Sequence, residues 1–362
     1  MRAIVDRSLR YTSERARLAT PADRAGDLAA RAAFFTIADA MKLAVPLAEL
    51  AGRGALPARR PLRVVDLGAG CGAMSLGLVA WLAAAPAGAR PPPALSLSLV
   101  DRDAAALAIA AAAIRDLAAR SGVDAAVTTR TADAVTAPLG EADLVVIGSL
   151  LNELSDRGLD RELGAVERAL GAIADDGAVI VIEPALRDTA RALHELRDAI
   201  LARGTGHVFA PCTRRGAPCP ALADPTDWCH EDRPLQLPPR TAELARLTHL
   251  RDGGMKFAYL VLRARPLALA EVDGEAWRVV GVPRPEKGKL EVIGCGDRGR
   301  VPIRLLRRHR SAQNRALERA QRGDVLVVDA APGDQRIELD AATRVVRLEP
   351  ARPPGPDEPG EP

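Results

Sequence analysis

The segment VVDLGAGCG (64–72) constrains this chain more than any other stretch, because it sets Gly68, Gly70 and Gly72 between an apolar run and an Ala-rich helical stretch. Small residues there let backbone amides approach a ligand, and the N-terminal end of the following helix adds positive partial charge. Such a loop belongs at the tip of a strand whose connection returns through a helix to a parallel neighbour. The chain continues in that pattern: LRVVDL (62–67), LSLSLV (95–100), AAVTTR (125–130), DLVVIG (143–148) and GAVIVIE (177–183) read as five strands. Helical stretches from Ala73 to Ala84 and from Asp103 to Ala119 separate the first three. This alternation predicts an α/β fold with a doubly wound parallel sheet. KFAYLVLRARP (256–266) fits a last strand of the same sheet, with an antiparallel direction open to it.

Two acids flank the glycines. Asp66 ends the first strand and Asp101 the second, where a carboxylate can accept hydrogen bonds from two ribose hydroxyls. A glycine loop alone leaves a dinucleotide such as NAD open. DLGAGCG with an acid before its first glycine, however, resembles the first motif of class I S-adenosylmethionine-dependent methyltransferases. By that resemblance Asp133, in TADA, lies near the adenine amine; its other reading is a turn cap. The fourth strand leads into GSLLNELSD (148–156), which carries neither the prolines and aromatic residue of amino-group methylation nor a cysteine nucleophile. Asn152 and Glu153 there read as substrate contacts or as a helix start, and Cys71 as a small packing residue. Catalytic residues stay unknown at this point.

Apolar residues make up 48% and charged residues 27% of the 362, which fits a globular chain. No apolar run reaches the length of a membrane helix, and MRAIVDRSLRYTSER carries no secretory core, so a cytoplasmic, reducing setting is expected. In that setting five cysteines do not read as a disulfide framework. Cys212, Cys219 and Cys229 sit in a Pro- and Gly-rich segment with six and nine residues between them, and Cys295 follows in EVIGCGDRG. Four thiolates hold either a zinc ion or an iron–sulfur cluster, and gaps of six and nine are wide for a zinc knuckle. His230 is a substitute ligand, and Trp228 reads as a shield for the site.

In order, DLGAGCG, LLNEL, VIEP (181–184), APC, CP, WCH, KFAYLVLR and a lone cysteine before an Arg-rich stretch ending in RGD (322–324) resemble one family. It is that of the methyltransferase-like assembly factors of the mitochondrial small ribosomal subunit and their bacterial relatives, over roughly residues 20 to 335. The resemblance implies a class I methyltransferase-like fold that retains S-adenosylmethionine, with Asp66, Gly68, Gly70, Gly72, Asp101 and Asp133 at the cofactor. It implies a 4Fe–4S cluster on Cys212, Cys219, Cys229 and Cys295, and a place on maturing rRNA and proteins of the small subunit, with weak or no methyl transfer. The alternatives are zinc at the cysteines and an active rRNA methyltransferase. The chain departs from the family after WCH, with HEDRP, and before Cys219, with GAP, which bears on His230 and not on the cysteines.

The expected organisation is an N-terminal helical segment (1–60) and a methyltransferase-like domain (61–266) with a Cys-rich insertion (204–240). A small C-terminal domain (267–349) and a disordered, Pro-rich acidic tail (350–362) follow. Between Arg298 and Arg322 nine arginines face one acid, Glu318, against a net charge of +3 for the chain, so this stretch, read as a helix from Arg307 to Arg322, is the candidate rRNA contact. Arg304, Arg307 and Arg308 are its leading residues. Aromatic residues are only 2%, so base stacking is not the expected mode. No membrane contact and a free monomer are expected.

Overall fold

The computed structural model describes residues 1–12, 21–84, 94–154, 158–216, 218–251, 254–267, 269, 275–329 and 336–348. The proline linker at 91–93 and the tail from 350 lie outside the described residues. Helices α1 (Arg2–Thr12), α2 (Arg24–Ala30), α3 (Thr36–Ala40) and α4 (Ala44–Gly52) come first, with a π turn at Arg31–Phe35 and a 3-10 turn at Met41–Leu43 between the last three. The helical run expected from Ala22 to Leu50 is therefore present, with two changes of pitch.

The central sheet then builds in the expected alternation. It runs through β1 (Leu62–Leu67), α5 (Ala73–Ala83), β2 (Leu95–Asp101), α6 (Ala104–Ser121), β3 (Ala125–Thr131) and β4 (Ala142–Gly148). The short α7 (Leu151–Leu154), α8 (Leu159–Ala172), β5 (Ile173–Pro184), α9 (Arg187–Arg203) and β6 (His207–Ala210) follow. After β7 (Glu231–Arg233) and α10 (Pro239–Thr248), β8 (Met255–Arg263) returns antiparallel between β5 and β6. The strand order is β3-β2-β1-β4-β5-β8-β6, with β7 paired to β8.

Burial explains the sequence pattern. β4 lies mid-sheet, and its residues from Ala142 to Ile147 are all buried because helices cover both faces. At the edge, β3 buries only Val127 and presents Thr128, Thr129 and Arg130 outward. One face packs under α4, α5 and α6 through Leu47, Leu50, Leu78, Val79, Leu107 and Ile114. The other packs under α8 and α9 through Leu163, Val166, Leu193 and Ile200. The α6 helix starts where Asp103 accepts the Ala105 and Ala106 N–H groups and stops at Gly122, whose φ of 69° suits a residue without Cβ.

A second sheet gathers β9 (Glu275–Val279), β10 (Arg284–Glu286), β11 (Lys289–Gly296), β12 (Gly299–Leu306), β13 (Val325–Asp329), β14 (Ile337–Leu339) and β15 (Arg344–Leu348). Its core is Trp277, Val292, Ile303, Leu305 and Leu326. β11 and β12 form a hairpin in which Cys295 stands opposite Arg300. The helix expected from Arg307 to Arg322 is absent: 3-10 turns at Arg307–His309 and Arg315–Arg319 replace it. Between them Asn314 is fully buried and its Nδ2 donates to the carbonyls of His309 and Asp340 at 2.8 and 2.9 Å, which ties the segment into turns.

The two sheets meet at a buried charge cluster. Glu49 of α4 pairs with Arg278 of β9 at 2.7 Å, and the Tyr259 hydroxyl of β8 donates to the other Glu49 oxygen at 2.7 Å. Arg278 Nε also donates to the Pro211 carbonyl at 2.7 Å. With both charges 4% exposed or less, the pair is compensated only by this geometry, so removing one partner strands the other.

Candidate functional site

The glycine loop sits at the carboxyl end of β1, between the tips of β2 and β4. Gly68, Gly70 and Gly72 have φ of 72°, 51° and 86°, the left-handed region that other residues adopt only at a cost. A side chain on Gly68 would strike Leu150, and one on Gly72 would meet Ala110 Cβ at 2.9 Å. Asp66 is buried beneath the loop, where its Oδ2 accepts the Ser75 hydroxyl at 2.6 Å and the Ser75 N–H at 3.1 Å. Burial pushes its carboxyl up to about 6. The acid before the first glycine therefore ties loop to helix rather than facing outward.

Asp101 bridges the tips of β1 and β2. Its Oδ2 accepts the Gly70 N–H and its Oδ1 the Asp103 N–H, both at 2.8 Å. Asp133 accepts the Val135 N–H at 2.8 Å and lies 3.5 Å from Arg161, so it caps a turn. The first helices reach over this end of the sheet. Arg31 Nη1 meets Asp103 at 2.7 Å, and a side chain on Gly70 would lie 3.1 Å from Arg31 Nη2. Arg7 and Arg10 of α1 converge on buried Asp27, and Arg7 also lies 3.8 Å from Glu153. Arg31 escaped the sequence reading, since a lone arginine inside a helical run carries no motif.

Beyond β4 the start of LLNEL is tied to β5 and α9. Glu183, at the end of β5, accepts the N–H groups of Leu151 and Asn152 at 2.9 and 3.2 Å, and burial raises it to about 8. Thr189 donates to Asn152 Oδ1 at 3.0 Å. Asn152 and Glu183 thus brace α7 against α9.

A second candidate site lies where the segment after β6 meets β11. All five cysteines are free thiols, and Cys212, Cys219, Cys229 and Cys295 line one cavity, together with His194, Arg197, Tyr259 and Arg300. Cys71 lies elsewhere, buried in the glycine loop. Burial pushes the Cys229 and Cys295 thiols up to about 12. The segment is fastened to the β11–β12 hairpin: Thr213 donates to the Cys295 carbonyl at 2.9 Å, Arg215 N–H to Asp297 at 2.8 Å, and Arg300 pairs with Asp227. The Cys229 N–H donates to His194 Nε2 at 3.0 Å, and burial lowers that imidazole to about 3. His230 turns to Arg322 at 2.7 Å and stacks on Trp228. Among the described residues no group of three or more His, Cys, Asp or Glu side chains forms a metal-ion site. His194, Arg197 and Arg300 were not legible as neighbours of the thiols, because only the fold brings them there.

The basic stretch is more neutral than its sequence. Arg298 pairs with Glu275, Arg300 with Asp227, Arg304 with Glu291 and Glu338, and Arg310 with Glu318. Arg307 and Arg308 are exposed, as are Arg315 and Arg319. No described helix is long and apolar enough to cross a membrane.

Several solved structures resemble this one. Magnesium protoporphyrin IX methyltransferase from Synechocystis PCC 6803 with bound S-adenosylmethionine is 11% identical, covering 73% of this chain and 97% of its own, with a TM-score of 0.36. The plantazolicin methyltransferase BpumL in complex with S-adenosylhomocysteine is 11% identical over 73% of this chain and 98% of its own, with a TM-score of 0.39. Ribosomal protein L11 methylase from Lactobacillus delbrueckii subsp. bulgaricus is 15% identical over 61% and 79%, with a TM-score of 0.32. No curated protein sequence matches the chain. Residues 33–327 match the family described as mitochondrial small ribosomal subunit Rsm22, so this chain belongs to the Rsm22 family.

Proposed function

We propose that the chain is an assembly factor of the small ribosomal subunit. It contacts rRNA, binds S-adenosylmethionine at the glycine loop and holds a 4Fe–4S cluster on Cys212, Cys219, Cys229 and Cys295, with weak or no methyl transfer. The family match over residues 33–327 is the observation that carries the small-subunit reading.

The loop supports the ligand. Three left-handed glycines bare the backbone at a strand tip, and Asp101 is held there by two N–H groups with its remaining lone pairs available to a ribose. Asp133 stands beyond β3, its carboxylate shared with a turn. The four thiols, gathered beside Arg197 and Arg300, match the donor set of a thiolate-held centre, whose negative charge the guanidiniums would offset. The cluster, when bound, supplies bonds that join the segment after β6 to β11; zinc on the same thiols is the alternative. Weak or no methyl transfer is supported by the use of Asn152 Oδ1 to accept from Thr189 and of the Glu183 carboxylate to accept the Leu151 and Asn152 N–H groups. An active rRNA methyltransferase is the second reading, favoured by Glu153, whose carboxyl burial raises and whose side chain stays 31% exposed.

Arg307 and Arg308 are the exposed arginines expected on rRNA phosphates, and Arg304, held by two glutamates, is expected to contribute less. Sucrose gradients test this. The wild type should sediment with immature small subunits at low salt, and the Arg307→Glu/Arg308→Glu variant should bind more weakly, with the slope of log affinity against log salt reduced by roughly 1 per lost phosphate contact. A wild-type chain that stays at the top of the gradient at low salt ends the small-subunit reading.

A further inference from the structure

Two arginines at the thiol cavity carry N–H donors that nothing among the described residues satisfies. Arg197, from α9, has a side chain only 2% exposed; its Nη1 meets Asp198, and its Nη2 donates to the carbonyls of Arg214 and Gly216 at 3.0 and 2.9 Å. Arg300, from β12, stands opposite Cys295 and pairs through Nη1 with Asp227. In both residues Nε is buried and has no hydrogen-bond partner among the described residues. Each guanidinium already has an aspartate against its charge, so what is missing is an acceptor at one defined atom. A buried N–H without an acceptor is costly, and here two residues that carry one line the same cavity from opposite sides of the junction. All four thiols line that cavity beside the two arginines.

We propose that Arg197 and Arg300 donate their Nε–H groups to sulfur atoms of the metal centre held by the four cysteines, and thereby act as positioning residues that raise its reduction potential and slow its loss. This rests on the metal reading given above. Hydrogen bonds to sulfur stabilise the more negative, reduced state of a cluster, and donors of this kind also hold the ligating sulfurs in place.

The test uses the full-length chain, purified without oxygen and analysed for iron, sulfide and zinc. Arg300→Lys keeps a positive charge beside Asp227 but has no donor at the Nε position; Arg197→Gln removes the other donor. With iron and sulfide bound, each variant should show a lower reduction potential by spectroelectrochemistry and about tenfold faster loss of metal to a chelator. If Arg197→Gln fails to fold, Arg300→Lys decides. Wild-type potential and release rate in a folded, loaded Arg300→Lys protein would overturn the inference and leave the metal reading standing. A zinc-only wild type overturns the reduction-potential half, since zinc has no redox chemistry, and an unchanged release rate in Arg300→Lys then overturns the rest. A wild type that carries no metal overturns the metal reading, and the inference with it.

Discussion

The glycine loop and the thiol cavity solve opposite problems. The loop itself spans nine positions of sequence, and the acids that serve it are largely used: Asp66 by Ser75, and Asp101, from the end of β2, by Gly70 and Asp103. The cavity draws its thiols from the segment between β6 and β7 and from β11, and among the described residues it keeps buried donors without partners. A site built locally can be complete before anything binds. One assembled across a junction keeps donors that only a ligand among the thiols could satisfy.

The sharpest way to break this contrast is at the junction. Cys295→Ser should abolish metal content and lower Tm on the order of 10 °C, since ligand binding there is coupled to docking of the second sheet, whereas Cys71→Ser should leave the metal intact. Equal metal content in the two variants would refute the assignment. Next in size, Arg278→Ala leaves Glu49 buried without its partner and should cost about 3–5 kcal/mol in urea unfolding, largely recovered in the Glu49→Gln/Arg278→Met double variant. If the double variant is no better than the single one, the cost lies in packing and not in charge.

The loop should respond more mildly. Asp101→Ala should weaken S-adenosylmethionine by roughly 1.5–3 kcal/mol in calorimetry, through lost hydrogen bonds to the ligand and to Gly70. No heat from the wild type with S-adenosylmethionine or its demethylated product would remove the ligand reading altogether. The gentlest change is in pH. Glu183 holds its proton to about 8 in the fold against an ordinary value of 4.5, so the folded state binds the proton more tightly. Its contribution is present in full below about 4.5 and is lost as pH rises through about 8, by at most about 1.4 kcal/mol per pH unit. Glu183→Gln should flatten that part of the Tm profile; an unchanged slope assigns it to other groups.

What was legible in the sequence follows the same division. LRVVDL is β1 residue for residue, and KFAYLVLR falls within β8, because apolar runs between turn residues have few other ways to be buried. The glycines and the four cysteines were visible as types at spacings. Nothing in the sequence could show that Arg300 would face Cys295, that Glu49 would meet Arg278, or that Asp66 would turn inward to Ser75. The Arg298–Arg322 stretch shows the same limit: charge counted along the chain omits Glu275, Asp227, Glu291 and Glu338, which reach Arg298, Arg300 and Arg304 from elsewhere, and Asn314 fixes turns where a helix was expected between Arg307 and Arg322.

The hairpin of β11 and β12 carries one more implication. Cys295 and Arg300 are paired across it by a connection of only two residues, Asp297 and Arg298. Because side chains alternate faces along a strand, slippage by one position would swing one of the two to the far side of the sheet. The length of a turn that touches neither sulfur nor guanidinium therefore decides whether they share a face. A one-residue insertion between Gly296 and Gly299 could erase the site while leaving every cysteine in the chain.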